Sequence, residues 1–128
     1  MEALSETQIK AKVRLRLSKL GCVVWQQATG HGRTDTGSEI SFGLCRGSSD
    51  IIGIAPVGKF LAVEVKTIAG MKAHIQALAR AARRQNGPLT RAERRAFEQH
   101  LFIDVVKRRG GIAGFVTSAD EAEELVKP

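Results

Sequence analysis

A chain of 128 residues with 43% hydrophobic side chains is long and apolar enough to bury a core, so it is read as one domain, 1–128, and not as a disordered segment. Lys and Arg number 20 against 13 Asp and Glu, giving +7 and a pI near 10.0, which favours a polyanionic partner, most simply nucleic acid. Two cysteines without CxxC spacing give no disulfide framework or zinc site, and no apolar run approaches the roughly 18 residues of a membrane span.

Cys22 and Cys45 are therefore expected to be buried free thiols in a reducing compartment, and His31, His74 and His100 to be loop or helix-surface residues. The N-terminus lacks the apolar core of a signal peptide, so the expected location is the cytoplasm of a bacterial or phage-infected cell.

Ser5-Glu6-Thr7-Gln8 has the form of a capping box that opens a helix. Ile9, Val13, Leu17 and Leu20 recur at helical spacing as its buried stripe, and Gly21 ends it. Lys10, Lys12, Arg14, Arg16 and Lys19 cover the remaining surface. Glu6, one turn before Ile9, either complements the helix N-terminus or points inward toward a site. Cys22 to Gln27 is a predicted strand in which Trp25 is expected to be core. Ala28 to Ser38, rich in Gly, Thr and polar residues, predicts a loop that is either simply flexible or brings His31 and Arg33 to DNA. Glu39 to Cys45 is a short extended piece. Arg46-Gly47-Ser48-Ser49 follows, with small residues that would let a phosphate backbone approach.

Ser48 to Thr67 is the most informative stretch. Asp50-Ile51-Ile52-Gly53-Ile54-Ala55 and Phe60-Leu61-Ala62-Val63-Glu64-Val65-Lys66 are two strands joined by Pro56-Val57-Gly58. Pro suits the second position of a type I turn and Gly the left-handed one, so Ala55 pairs with Lys59. Paired numbers then sum to a constant, which sets Asp50 opposite Glu64. Side chains alternate faces along a strand, so Glu64 and Lys66 share one face and Val63 and Val65 the other. Directly opposed residues hold their Cβ atoms about 4.5–5.5 Å apart, and opposed like charges are destabilising. A divalent cation between the carboxylates would offset that cost, since Mg²⁺ takes one or two carboxylates with water and phosphate oxygens.

Beyond a predicted turn at Thr67 to Gly70, Lys72 to Gln85 is a helix with Ile75, Leu78, Ala79 and Ala82 inward and Lys72, Arg80, Arg83 and Arg84 outward. Asn86-Gly87-Pro88 stops it. Thr90-Arg91-Ala92-Glu93 is a second capping box, opening a helix with Phe97, Leu101, Phe102 and Val105 as its apolar stripe. From Lys66 to Arg109 inclusive there are eleven basic and three acidic residues. Such a block forms a solvated face or, beside a metal site, a track for phosphates. Arg33, Arg46, Ser48, Lys72, Arg83, Arg84, Arg91 and Arg95 are the candidate nucleic-acid contacts. Ile112 to Val116 is a last strand, and Ser118-Ala119-Asp120-Glu121 caps a final acidic helix.

Asp50 followed by Glu64-Val65-Lys66 resembles the D…(D/E)-X-K signature of the PD-(D/E)XK nuclease superfamily. Gly47-Ser48-Ser49-Asp50-Ile51-Ile52-Gly53-Ile54 and Phe60 to Thr67 resemble, more narrowly, the VRR-NUC nucleases. Ser49 stands where the superfamily has Pro, a position that is not a metal ligand. The resemblance runs from Glu6 to Val116 and implies an α/β fold with an αβββαβ core, a central mixed sheet flanked by helices. The Met71–Arg95 region is longer than the connection usual in these nucleases.

The resemblance further implies a metal-dependent DNA endonuclease in which Asp50, Glu64 and the main-chain carbonyl of Val65 hold Mg²⁺ or Mn²⁺. Glu6 matches the glutamate of the family's first helix and would complete the site or hold a second ion. Lys66 would orient water or stabilise developing charge. Gln99, eleven residues before Gly110-Gly111, matches the family's glutamine on the helix after the motif and would support Lys66 or the water. Standalone VRR-NUC proteins are homodimers acting on branched DNA, including four-way (Holliday) junctions, and this chain is expected to do likewise. The competing readings are a non-catalytic basic DNA-binding module on the same fold and a nuclease of linear DNA or RNA.

Overall fold

The computed structural model describes residues 3–28, 30–42 and 44–128. Helix α1 (Glu6–Lys19) starts on its capping box: the Ser5 side chain accepts from the Gln8 N–H, and the Gln8 side chain accepts from the Ser5 N–H. Ile9, Val13 and Leu17 are its buried stripe. Leu20, expected to extend that stripe, is exposed, because it is already the C-cap and Gly21, at φ 90°, turns the chain away.

Four strands form the main sheet in the order β1 (Val23–Gln26), β4 (Ile51–Ile54), β5 (Phe60–Val65), β6 (Ile112–Val116). The first two pairings are antiparallel and β5–β6 is parallel. The β4–β5 register has the predicted constant sum: Ile51 pairs with Val63 and Ile54 with Phe60, and the Ala55 N–H donates to Lys59 O at 2.9 Å. β5 is central and buried from Leu61 to Val65.

The faces of β5 divide as alternation requires. Leu61, Val63 and Val65 join Ile9, Val13 and Leu17 of α1, and Ala122 of α4 (Ala119–Val126), in one core. Ala62 joins Ala113 of β6 and Ile103 and Val106 of α3 (Arg91–Arg108) in a second core on the other face. The result is a mixed α/β architecture in which a four-stranded mixed sheet is flanked by helices.

Several elements depart from the sequence expectation. The stretch expected as a loop at 28–38 carries β2 (Gly30–Arg33), which pairs antiparallel with β3 (Glu39–Phe42) as a separate two-stranded sheet. Gly-His-Gly-Arg has no apolar alternation, so a hairpin held by its backbone ladder leaves no periodic signal. The His31 side chain lies outside the described residues. Thr67 to Gly70 is not a free turn: Thr67 is the N-cap of α2 (Ile68–Arg83), and its side chain accepts from the Gly70 N–H at 2.9 Å.

The inward faces of α2 and α3 are also rotated. In α2 the buried residues are His74 and Ala77, and Ile75 is exposed. In α3 they are Glu93, Ala96, Gln99, Ile103 and Val106, while Phe97, Leu101 and Val105 are 43%, 43% and 54% exposed. The small faces at Ala77 and Ala96 turn toward each other, and the polar residues share the buried side because each has a partner there. Trp25 is 51% exposed on the edge strand β1, and Cys45 is exposed, against the expectation of burial; Cys22 is buried as expected. His74, expected at the surface, is buried against Phe115 with ring centroids 4.5 Å apart.

Candidate active site

The site lies where β4 begins and β5 ends. Asp50 directly precedes β4 and continues its register opposite Glu64. The two residues clasp each other through the backbone: the Asp50 N–H donates to Glu64 Oε2 at 3.2 Å, and the Val65 N–H donates to Asp50 Oδ2 at 3.1 Å. Glu64 shares the face of Ala62, so it looks toward α3, and there the Gln99 amide donates to Glu64 Oε1 at 3.1 Å. The hairpin and α3 therefore converge on one carboxylate, and the bond of the Gln99 amide is to Glu64, where Lys66 or a water was the expected partner.

Burial and the Asp50 charge raise the Glu64 carboxyl to about 8, and Lys66 only partly opposes them. Among the described residues, Ser49 Oγ and Gln99 Oε1 are buried beside the pair with no hydrogen-bond partner. Lys66 is half-buried and lines a groove of about 210 Å³ between α2 and α3, together with Gly70, His74, Ala77, Arg95 and Gln99. Burial first, then Lys66 and His100, holds the His74 imidazole below its ordinary value, so it stays neutral in a positive surrounding.

Glu6 does not reach the pair directly. Lys10 stands between them, its Nζ 3.3 Å from Glu6 Oε1 and 3.4 Å from Asp50 Oδ1. Partial burial lowers the ammonium's pKa, but Asp50 and Glu6 outweigh it and the net shift is upward, so Lys10 is charged. Lys10, expected on the helix surface, carries one local signal of a partner, its spacing of one turn after Glu6.

The loop before Asp50 is built for packing. Gly47, at φ 81°, lies against the backbone of α3, where a Cβ would collide with the Glu98 carbonyl. Its close approach is thus to the helix carrying Gln99 rather than to a phosphate. Gln27, which sequence reasoning passed over, ties the loop down: its amide donates to Ser48 Oγ at 2.8 Å and Ser49 O at 3.0 Å, and its Oε1 accepts from the Leu44 N–H at 3.0 Å. Ser48, expected to face nucleic acid, has its hydroxyl engaged by this clamp.

The predicted phosphate contacts separate into two groups. Arg84 is not a free cation: it forks onto Glu93 at 2.8 and 2.7 Å, with Arg80 a further 3.5 Å contact. Arg33, on the hairpin arm, faces Glu39 at 4.0 Å. Arg46, Lys72, Arg83, Arg91 and Arg95 are exposed, with no ion pair among the described residues. Among those residues no group of three or more His, Cys, Asp or Glu side chains is placed to hold a metal, so any ion here rests on the Asp50–Glu64 pair with backbone or water oxygens. No described helix is long and apolar enough to cross a membrane.

The chain matches no family model, no curated protein and no solved structure.

Proposed function

We propose that this chain is a metal-dependent endonuclease of the VRR-NUC type, within the PD-(D/E)XK superfamily, that hydrolyses DNA phosphodiester bonds and prefers branched DNA such as four-way junctions, working as a homodimer. The observation that carries this reading is the Asp50–Glu64 pair, opposed at a strand junction, buttressed by Gln99 and followed on the same face by Lys66. A purely structural hairpin has no use for a buried carboxylate set against a second, half-buried one at its open end.

The donor set suits Mg²⁺ or Mn²⁺. Both side chains offer hard oxygens, and burial together with the Asp50 charge raises Glu64 to about 8 against the partial opposition of Lys66. Asp50 and Glu64, with the Val65 carbonyl, are the proposed ligands; Glu6 acts through Lys10 or as a further ligand. The ion, when bound, would lower the pKa of a coordinated water and neutralise phosphate charge.

The protein's own groups do the rest. Asp50 is oriented by the Val65 N–H and Glu64 by Gln99 and the Asp50 N–H, so both carboxylates are fixed before substrate arrives. Lys66 supplies a positive charge to the phosphate as negative charge builds on its oxygens. Gln99 keeps Oε1 as an acceptor for a water or for Lys66. Hydrolysis adds one water across a P–O bond and yields a phosphate monoester and a free hydroxyl. Arg95, at the same groove as Lys66, with Arg91, Lys72, Arg83 and Arg46, supplies phosphate contacts that position DNA without reading sequence.

The test is cleavage of labelled four-way junction and matched linear duplex by purified protein, in Mg²⁺, Mn²⁺ or EDTA, with Asp50→Ala in parallel. Metal-dependent cutting of the junction, lost in the variant, supports the reading. Equal cutting of both substrates removes the junction preference. Salt-sensitive binding with no cutting under any metal replaces the nuclease with a DNA-binding module.

A further inference from the structure

Lys10 belongs neither to the hairpin motif nor to the exposed basic surface. It follows Ile9, which anchors α1 in the core, so the helix presents it to the site from a fixed point. Its side chain is 22% exposed and that of Asp50 21%. The ammonium lies between Glu6 Oε1 at 3.3 Å and Asp50 Oδ1 at 3.4 Å. Charge-assisted hydrogen bonds close to about 2.7–2.9 Å, so both contacts are ion pairs short of full closure. The Asp50 carboxylate is therefore divided: Oδ2 is held by the Val65 N–H, while Oδ1 faces a cation carried by the protein itself.

We propose that Lys10 is the resident counter-ion of the carboxylate site. It neutralises Asp50 while no divalent cation is present and gives Asp50 up when one enters, with Glu6 as the carboxylate that retains it. This inference rests on the metal site of the proposed nuclease. It assigns Glu6 the role of holding Lys10 and makes the site's affinity for metal the outcome of a competition between two cations for Asp50. A divalent ion on Asp50 would repel an ammonium so near it, so metal binding and the Lys10–Asp50 contact oppose each other. The metal-free protein gains a neutralised Asp50, and the metal-bound form pays for it in affinity. Glu6, one turn before Lys10, gives the displaced ammonium a partner already in reach.

The test is Mn²⁺ binding at neutral pH, followed by the spin-resonance signal of free Mn²⁺, together with thermal unfolding in EDTA. Wild type is compared with Lys10→Met, with the double variant Lys10→Met/Asp50→Asn, and with Lys12→Met, which removes the same charge from an exposed position of the same helix. Lys10→Met is expected to bind Mn²⁺ about tenfold more tightly and to unfold at lower temperature in EDTA. Lys12→Met should match wild type, and the double variant should lose the gain. If Lys10→Met does not fold without metal, Lys10→Gln, which keeps a polar head without charge, is expected to show the same tightening. Unchanged or weaker binding in the Lys10 variants, with wild type still binding, overturns the counter-ion role and leaves the metal site standing. No binding by any of the proteins overturns both. Equal tightening by Lys12→Met reduces the effect to net charge and overturns the assignment.

Discussion

At the scale of single residues, the protein holds two carboxylates where folding alone would not put them. Glu64 is raised from 4.5 to about 8 by burial and by Asp50, so the folded state binds its proton more tightly than the unfolded state does. The sign follows from linkage: this contribution to stability is fully present below about pH 4.5 and is lost as pH rises through about 8. Glu64→Gln removes the titration. The metal-free variant is expected to be more stable than wild type by on the order of 1–3 kcal/mol at pH 8, the gap narrowing toward pH 5, as measured by denaturant unfolding in EDTA. Saturating Mg²⁺ should stabilise wild type and leave the variant nearly unmoved.

Lys66→Ala tests the other half of the site. Lys66 has no ion pair among the described residues, so its removal should leave the unfolding temperature and DNA affinity nearly unchanged. Cleavage should fall by about 10²–10³-fold or more in single-turnover assays, as for removal of one preorganised charge from a transition state. Full activity in that variant would sink the site assignment. These residues were legible in the sequence because a hairpin register is arithmetic: one turn geometry placed Asp50 opposite Glu64. Lys10 was not, because helical periodicity separates inside from outside but does not show which boundary lysine meets a carboxylate on another element. Gln27 and Gly47 act on segments far from them in sequence and left no local pattern either.

At the scale of elements, capping chemistry was readable and facing was not. The boxes at Ser5 and Thr90 both form, since each depends on residues three apart. The inward faces of α2 and α3 were misjudged by assuming that the largest apolar residues are the buried ones. Glu93 shows why that fails. It is fully buried, yet it completes the Thr90 box and accepts both prongs of Arg84, so a carboxylate pins the start of α3 to the end of α2. The Arg84 bond, then the Thr90 N–H, holds it down to about 2. Here the sign is opposite to that of Glu64: the stabilisation is complete above about pH 4.5 and is lost as pH falls toward about 2. Glu93→Gln is expected to lower the unfolding temperature by several degrees at pH 7 and to flatten the acid limb of the stability profile, read by circular dichroism between pH 7 and 2. An unchanged acid limb would show that the Arg84–Glu93 fork does not hold the two helices together.

At the scale of the whole molecule, what remains outside the core bears on assembly. The order of the helices and main-sheet strands and the two-sided packing of β5 were legible, though β2 was not, because a strand as apolar as Phe60 to Val65 must be covered on both faces. The parallel β5–β6 pairing is a long-range choice that no local pattern records. Turning α3 toward its polar residues leaves Phe97, Leu101 and Val105 on the outside at four-residue intervals, one continuous apolar ridge. At Val105 the ridge runs into a groove of about 500 Å³ that it lines with Phe60, Lys59, Arg109 and Gly110. A contiguous apolar surface of this kind marks an association site more often than a solvated face. In the proposed homodimer it offers a surface for a two-fold contact, in which each ridge meets its own copy. Leu101→Glu sets a charge at the ridge centre without touching a core residue. Sedimentation equilibrium should show wild type as a dimer and the variant as a monomer, with association weakened by at least about 2 kcal/mol, since a buried unpaired charge costs at least that much. If the monomer keeps metal-dependent cutting of linear duplex but loses paired cuts on a four-way junction, the second copy supplies symmetry rather than chemistry. A dimer that survives the substitution places the contact elsewhere on the molecule.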